Sequence, residues 1–205
     1  MIAYHVDMQD LTRIEKTLRM TRDKSKLVLK GAINDTVKQT VNLLTNEAVK
    51  EYYIGRSKVK KTLNTDKATT GNLEAVITSS GAVNELYDFR VRPKHYDPKA
   101  RPKAGHTGNV KRDNSAKRLY LKPSAPHDKY KAFVVKYKSG HITIAQRVPG
   151  KRMKSNPEKE AINTLLSSST PNILGYEKGV YGAVKPQMND LLMKNIQQQM
   201  QRYLG

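Results

Sequence analysis

One apolar stripe constrains this chain more than any other feature. Leu29, Ile33, Val37, Val41, Leu44, Ala48 and Tyr52 follow one another at steps of four, four, four, three, four and four. On a helix that spacing keeps every one of them on a single face over about six turns. A helix so one-sided is stable only when the stripe is covered by a sheet or by other helices. Gly55 punctuates its end. Ahead of it, residues 1–24 read as an N-terminal helical extension. Leu11, Ile14 and Leu18 share a face between Asp10 and Arg22, Thr12 and Glu15 have capping-box spacing, and Asp23-Lys24-Ser25 separates this helix from the long one.

After Gly55 the period changes. Arg56 to Leu63 reads as one more helical turn with Ser57 as its cap. Residues 73–78 and 85–91 read as strands, the second with Tyr87, Phe89 and Val91 alternating on one face, and turn residues at 79–82 lie between them. Residues 132–138 and 141–148 form a hairpin about Ser139-Gly140. Asn156-Pro157 has the form of a helix start, predicting a short helix through Leu166, followed by a loop at 167–171. A last helix is expected from about Val184 to Leu204, on a stripe of Val184, Met188, Leu191, Leu192, Asn195, Met200 and Tyr203. Helices, then antiparallel strands, then a helix predict an α+β fold. In it the long N-terminal helix and the C-terminal helix pack on an antiparallel sheet, as a single domain over 1–205.

The charge is concentrated. The chain carries a formal net charge of +20, and the segment Arg90–Lys154 alone holds 19 Lys/Arg against three acids. Within it, residues 92–126 contain five prolines and two glycines. This predicts a basic extended loop or arm inserted between strands, with one strand near Arg118–Lys122. Such a field attracts polyanions and releases their counterions. The segment has no aromatic interleaving for stacking bases, no zinc-finger spacing and no RNA-recognition signature, so contact with DNA would run through the backbone.

Catalytic signals are absent. The 205 residues include no Cys, which removes disulfides, thiolate metal sites and Cys nucleophiles together. There is no phosphate loop, dinucleotide fingerprint or nucleophile elbow. The five His are scattered without ligand spacing, and Glu158 and Glu160 suit a helix start better than an acid/base pair. No catalytic residue, metal site or cofactor is expected, and no enzyme. No apolar run is long enough to span a bilayer, and the first residues lack the charged and apolar regions of a secretory signal. The expectation is a soluble protein made in the cytoplasm, with no membrane partner.

Several short segments stand in an order that one known family shares. In the long helix, residues 30–37 (Lys-Gly-Ala-Ile-Asn-Asp-Thr-Val) are similar to the family's Ala-Ile-Asn-x-Thr segment. Residues 51–60 (Glu-Tyr-Tyr-Ile-Gly-Arg-Ser-Lys-Val-Lys) are similar to its aromatic, Ile and Lys-Val stretch. Residues 89–93 (Phe-Arg-Val-Arg-Pro) resemble a Phe-x-x-Arg-Pro element. Residues 142–147, with Gly150-Lys151-Arg152 after them, resemble a strand ending in Arg before a basic turn. Residues 165–174 sit where the family has Leu, then Gly-Pro-Ser-Val-Pro-x-Met-Leu. Here the Gly-Pro is missing, and residues 155–161 are additional.

In this order of segments the chain resembles the minor tail protein Z family, the tail-completion proteins of tailed bacteriophages. The resemblance implies a virion protein made in the host cytoplasm that completes the tail at its head-proximal end and joins it to the head. It implies a homo-oligomeric ring, expected to be hexameric, between the tail tube or terminator protein and the head connector. It implies no catalytic residues. On this reading Arg101, Lys103, Lys111, Arg112, Lys117, Arg118, Lys151 and Arg152 would face genomic DNA in the channel or an acidic partner ring. Tyr52, Tyr53, Tyr120 and Tyr130 are candidate anchors of the subunit interface, since Tyr suits half-buried contacts. The alternative is a stand-alone, sequence-nonspecific nucleic-acid-binding protein that uses residues 90–154.

Overall fold

A computed structural model describes residues 2–5, 12, 16, 22–97, 105–113, 117–119 and 131–204. The fold is α+β, with long N- and C-terminal helices and antiparallel sheets. The chain divides into two compact units. One comprises residues 1–48, 56–81 and 170–205, and the other residues 49–55 and 82–169.

The first unit is organised by helix α1 (Arg22–Glu51), which carries the long stripe. Val28, Leu29, Ala32, Ile33, Val37, Leu44 and Ala48 are buried on it. Each large aliphatic among them contributes about 1.5–3 kcal/mol through the water it sheds. Helix α1 begins at Arg22, so the separation expected at 23–25 does not occur; Ser25 is fully buried within the helix. The short helix α2 (Arg56–Lys61) leads into β2 (Leu63–Asp66) and β3 (Glu74–Ser79). Strand β1 (Ile2–His5) pairs antiparallel with β3, from Ile2 opposite Ile77 to His5 opposite Glu74. The sheet order is therefore β1-β3-β2. The expected helical extension over 1–24 is corrected at its start, where a strand stands. The rest of that helix lies outside the described residues, apart from the helical Thr12 and Lys16. Leu44 of α1, Ile77 of β3 and Leu174 of α3 (Thr170–Gly175) line one cavity, so helices and sheet share a core.

Two polar devices set the register of that core. Asn34 of α1 donates from Nδ2 to the Ala68 carbonyl at 3.1 Å, and its Oδ1 accepts from the Ala68 N–H at 2.9 Å. The side-chain amide thus replaces a backbone partner for the β2–β3 connection, and Ala68 is almost fully buried beneath it. The second device joins α1 to α4 (Val180–Leu204). Buried Asn195 donates to Thr36 Oγ1 at 2.9 Å and accepts from Gln39 Nε2 at 3.2 Å, while Gln199 donates to Asp35 Oδ2 at 2.7 Å. Gly31 lets the helices approach this closely, since a Cβ there would stand 2.9 Å from Gln199 Cδ.

The second unit is built of small sheets. Strand β4 (Asn84–Glu85) pairs with β11 (Leu166–Ser167). Strand β5 (Arg90–Arg92) pairs with β6 (Thr107–Asn109), which pairs with β7 (Lys117–Arg118). Strands β8 (Phe133–Lys136), β9 (Ile142–Met153) and β10 (Asn156–Thr164) lie in the order β10-β9-β8. Val91, Ala132 and Ile144 form the core, with Leu86, Tyr87, Leu119 and Leu165 packed against it. The hairpin at 132–148 forms as the alternation requires, with Phe133 opposite Ala145 and Lys136 opposite Ile142.

Three local expectations are corrected here. The strand read over 85–91 is broken by a 3-10 turn at Leu86–Asp88, because the Asp88 carboxylate takes the Glu85 N–H at 3.0 Å and a capping box forms. The helix read over 157–166 is strand β10. Its Ile162, Asn163 and Thr164 are claimed by Arg147, Gln146 and Ala145 of β9, and that pairing outweighs the proline signal. The loop read at 167–171 narrows to residues 168–169, with Ser167 in β11 and Thr170 and Pro171 opening α3. The described parts of the 92–126 arm are strands β6 and β7 and their connections. The remainder of the arm lies outside the described residues.

Two stability predictions follow from these placements. Asn34→Ala leaves the buried Ala68 amide without its partners, so urea unfolding should show a loss of about 1–3 kcal/mol. His106, almost fully buried, lies with Nδ1 2.8 Å from the Ala132 carbonyl. Burial pushes its pKa below the ordinary 6.5, against the smaller opposing pull of that hydrogen bond. The unfolded chain therefore takes up this proton more readily than the folded one. The stability His106 contributes is present above pH 6.5 and is lost as the pH falls toward the folded value. Melting temperatures between about pH 7.5 and 5 should fall, and His106→Gln should flatten that fall.

Candidate cationic interface

The candidate surface begins where α1 ends. Residues 51–53 run alongside 110–112: Tyr53 N–H donates to the Val110 carbonyl, Arg112 N–H donates to the Glu51 carbonyl, each at 2.9 Å, and Tyr52 bridges to Lys111. Neighbouring residues in an extended pairing face opposite sides. Lys111 and Tyr52 therefore go one way, and Arg112 and Tyr53 the other.

The two sides differ in charge. Lys111 Nζ sits 3.1 Å from Glu51 Oε1 and 5.5 Å from the centre of the Tyr52 ring. Its hydrogen bond to Glu51 leads the influences that raise its pKa, so it stays charged and locally neutralised. Tyr52 is buried, and burial, with the Glu51 charge second, raises its phenol pKa.

On the other side, Arg112 Cζ lies 4.5 Å from the Tyr53 ring centre and Arg90 Cζ 5.0 Å. Arg90 also donates to the Tyr53 hydroxyl at 2.6 Å, and Arg112 Nε donates to the Val49 carbonyl at 2.8 Å. Among the described residues no ion pair joins either guanidinium to a carboxylate. Lys94 is held in the same way, over the Tyr87 ring at 5.0 Å and 3.3 Å from the Phe89 carbonyl. These groups line a groove of about 530 Å³ that contains Arg90, Arg92, Lys94 and Arg112 but only one acid, Asp88.

A second basic surface lies at the far end of β9 and β10. Among the described residues β8 pairs with β9 only over Ile142–Ala145. Beyond Val148 nearly every residue to Lys159 is exposed, so both faces of this ribbon meet solvent. Its pairing is irregular, with shifts between Asn156, Glu160 and Ile162, and Gly150 adopts φ +72°, a left-handed conformation a side chain would strain. Arg152 donates to the Glu158 carbonyl at 3.2 Å and Arg147 to the Glu160 carbonyl at 3.1 Å. Lys151 and Arg152 are exposed.

The structure thus separates the residues singled out from sequence. Tyr53 and Arg112 enter the groove, Lys111 and Tyr52 form a neutralised pair behind it, and Lys151 and Arg152 lie on the ribbon. Lys117 and Arg118 are the two residues of β7. Arg101, Lys103, Tyr120 and Tyr130 lie outside the described residues. Sequence reasoning missed Arg90, Arg92 and Lys94. The signal was present in the alternation of Arg90, Val91 and Arg92, which buries the valine and leaves both arginines on the other face. Comparison with family models, with curated proteins and with solved structures finds no match to this chain.

The Tyr53 contacts can be weighed separately. Tyr53→Phe removes only the hydroxyl bond to Arg90 and should cost less than about 1.5 kcal/mol in urea unfolding. Tyr53→Leu also removes the ring under two cations and should cost about 1–2 kcal/mol more. Equal costs would mean that the ring does not hold the guanidiniums.

Proposed function

We propose that this chain is a virion structural protein of a tailed bacteriophage, one that completes the tail at its head-proximal end and joins it to the head. It works by docking, as a homo-oligomeric and expectedly hexameric ring between the tail tube or terminator protein and the head connector. The observation that carries this reading is the β9–β10 ribbon. Its distal half is exposed on both faces, carries Lys151, Arg152 and Lys154, and presents strand edges that β8 does not cover. Such edges add strands from neighbouring chains, which suits ring building. The order of the segments at 30–37, 51–60, 89–93, 142–152 and 165–174, resembling the tail protein Z family, supports the same reading.

One observation favours the alternative, a stand-alone nucleic-acid-binding protein: the groove cations are held by rings and carbonyls and so keep their charge. Particles distinguish the two. Without this protein, electron microscopy should show tails and filled heads that fail to join; normal joined virions would remove the joining role. Lys151→Glu with Arg152→Glu should leave the melting temperature within a few degrees, since exposed charges contribute little to stability, yet lower the yield of joined particles.

A further inference from the structure

We infer that the groove formed by Arg90, Arg92, Lys94 and Arg112 around Tyr53 is a seat for the phosphodiester backbone of a nucleic acid. The identity of the ligand, DNA passing through the joined particle, rests on the proposed function; the chemistry rests on the groove alone. Four cations face one acid there, and one Asp88 oxygen is engaged by the Glu85 N–H.

Two of the guanidiniums are fixed before any ligand arrives. Arg112 is tied through Nε to the Val49 carbonyl, and Arg90 through Nη1 to the Tyr53 hydroxyl, with the Tyr53 ring beneath both. These partners orient the side chains without cancelling their charge. Terminal N–H groups remain for an oxyanion, in the forked geometry that matches phosphate.

The spacing favours a polymer over a single anion. Arg90 and Arg92 are two residues apart on β5 and share a face, so their origins stand about 6.5–7 Å apart. Arg112 and Lys94 add charges elsewhere along the same groove. A strand carrying one charge per nucleotide engages several of them at once, whereas one inorganic anion spans only part of the row. Cations that meet phosphate oxygens read no base edge, so the contact carries no sequence preference.

The test is fluorescence anisotropy of a labelled duplex with the full chain, titrated across salt concentrations. Binding should weaken linearly on a log–log plot. Arg90→Gln with Arg112→Gln should weaken binding about tenfold or more at low salt and reduce the slope by about two. Arg92→Gln, an exposed site where unfolding is not a concern, should reduce the slope by about one. Lys111→Gln, which removes a cation already paired with Glu51, should change the slope less than Arg92→Gln does.

Three results would overturn the assignment: slopes unchanged by the groove variants, equal losses from Lys111→Gln and Arg92→Gln, or displacement of the duplex by polyglutamate or inorganic phosphate as effectively as by unlabelled duplex at equal charge. Because the readout uses purified protein, it separates the two readings. Joined particles without groove-dependent binding defeat this inference alone, and groove-dependent binding without a joining defect defeats the joining role alone.

Discussion

Like charge must be held without being cancelled, and the second unit is arranged around that constraint. That unit contains the whole segment, residues 90–154, in which 19 Lys/Arg face three acids. Carboxylates are too few to pair them, so the chain uses neutral partners. Arg112, Arg147, Arg152 and Lys94 are oriented by backbone carbonyls, and Arg90 by a tyrosine hydroxyl. Aromatic rings lie beneath Arg90, Arg112, Lys94 and Arg147. Dipoles and ring quadrupoles satisfy hydrogen bonds and soften repulsion while leaving the net charge in place. The result is a positive surface with fixed geometry, which a flexible run of lysines would not provide.

The first unit solves a different problem by ordinary means. The stripe on α1 has to be covered, and sheet β1-β3-β2 together with α3 and α4 covers it. Two amides then choose one arrangement among the many that oily contact permits: Asn34 clips the β2–β3 connection, and Asn195 joins α4 to Thr36 and Gln39. Left unpaired in the core, these groups would each cost more than they contribute when paired, so they penalise wrong registers more than they strengthen the right one.

What was legible in the sequence follows from how local each signal is. The α1 stripe, the 132–148 hairpin and the α+β class depend on residues near one another, and all three are present. Strand β1 was not legible, because its four residues become a strand only through β3, about seventy positions away. Strand β10 was read as a helix because Asn156-Pro157 is a strong local start signal, while its true partner lies across the hairpin. The groove was half visible. Tyr53 and Arg112 drew notice by residue type, but only the pairing of 51–53 with 110–112 shows which cation is neutralised and which is not. Charge counting treats Lys111 and Arg112 alike, whereas a half-turn of extended backbone separates their roles.

The proposed docking role makes a direct claim about neighbours, because among the described residues the distal β9–β10 ribbon is exposed and not covered by β8. Chemical cross-linking of lysines in native particles, read by mass spectrometry, tests this most directly. The account predicts links from Lys151 and Lys154 of the ribbon to a second copy of the chain or to tail and head-connector proteins. Recovery of the chain only as a free monomer, with no particle containing it and no inter-protein link from either lysine, would contradict it.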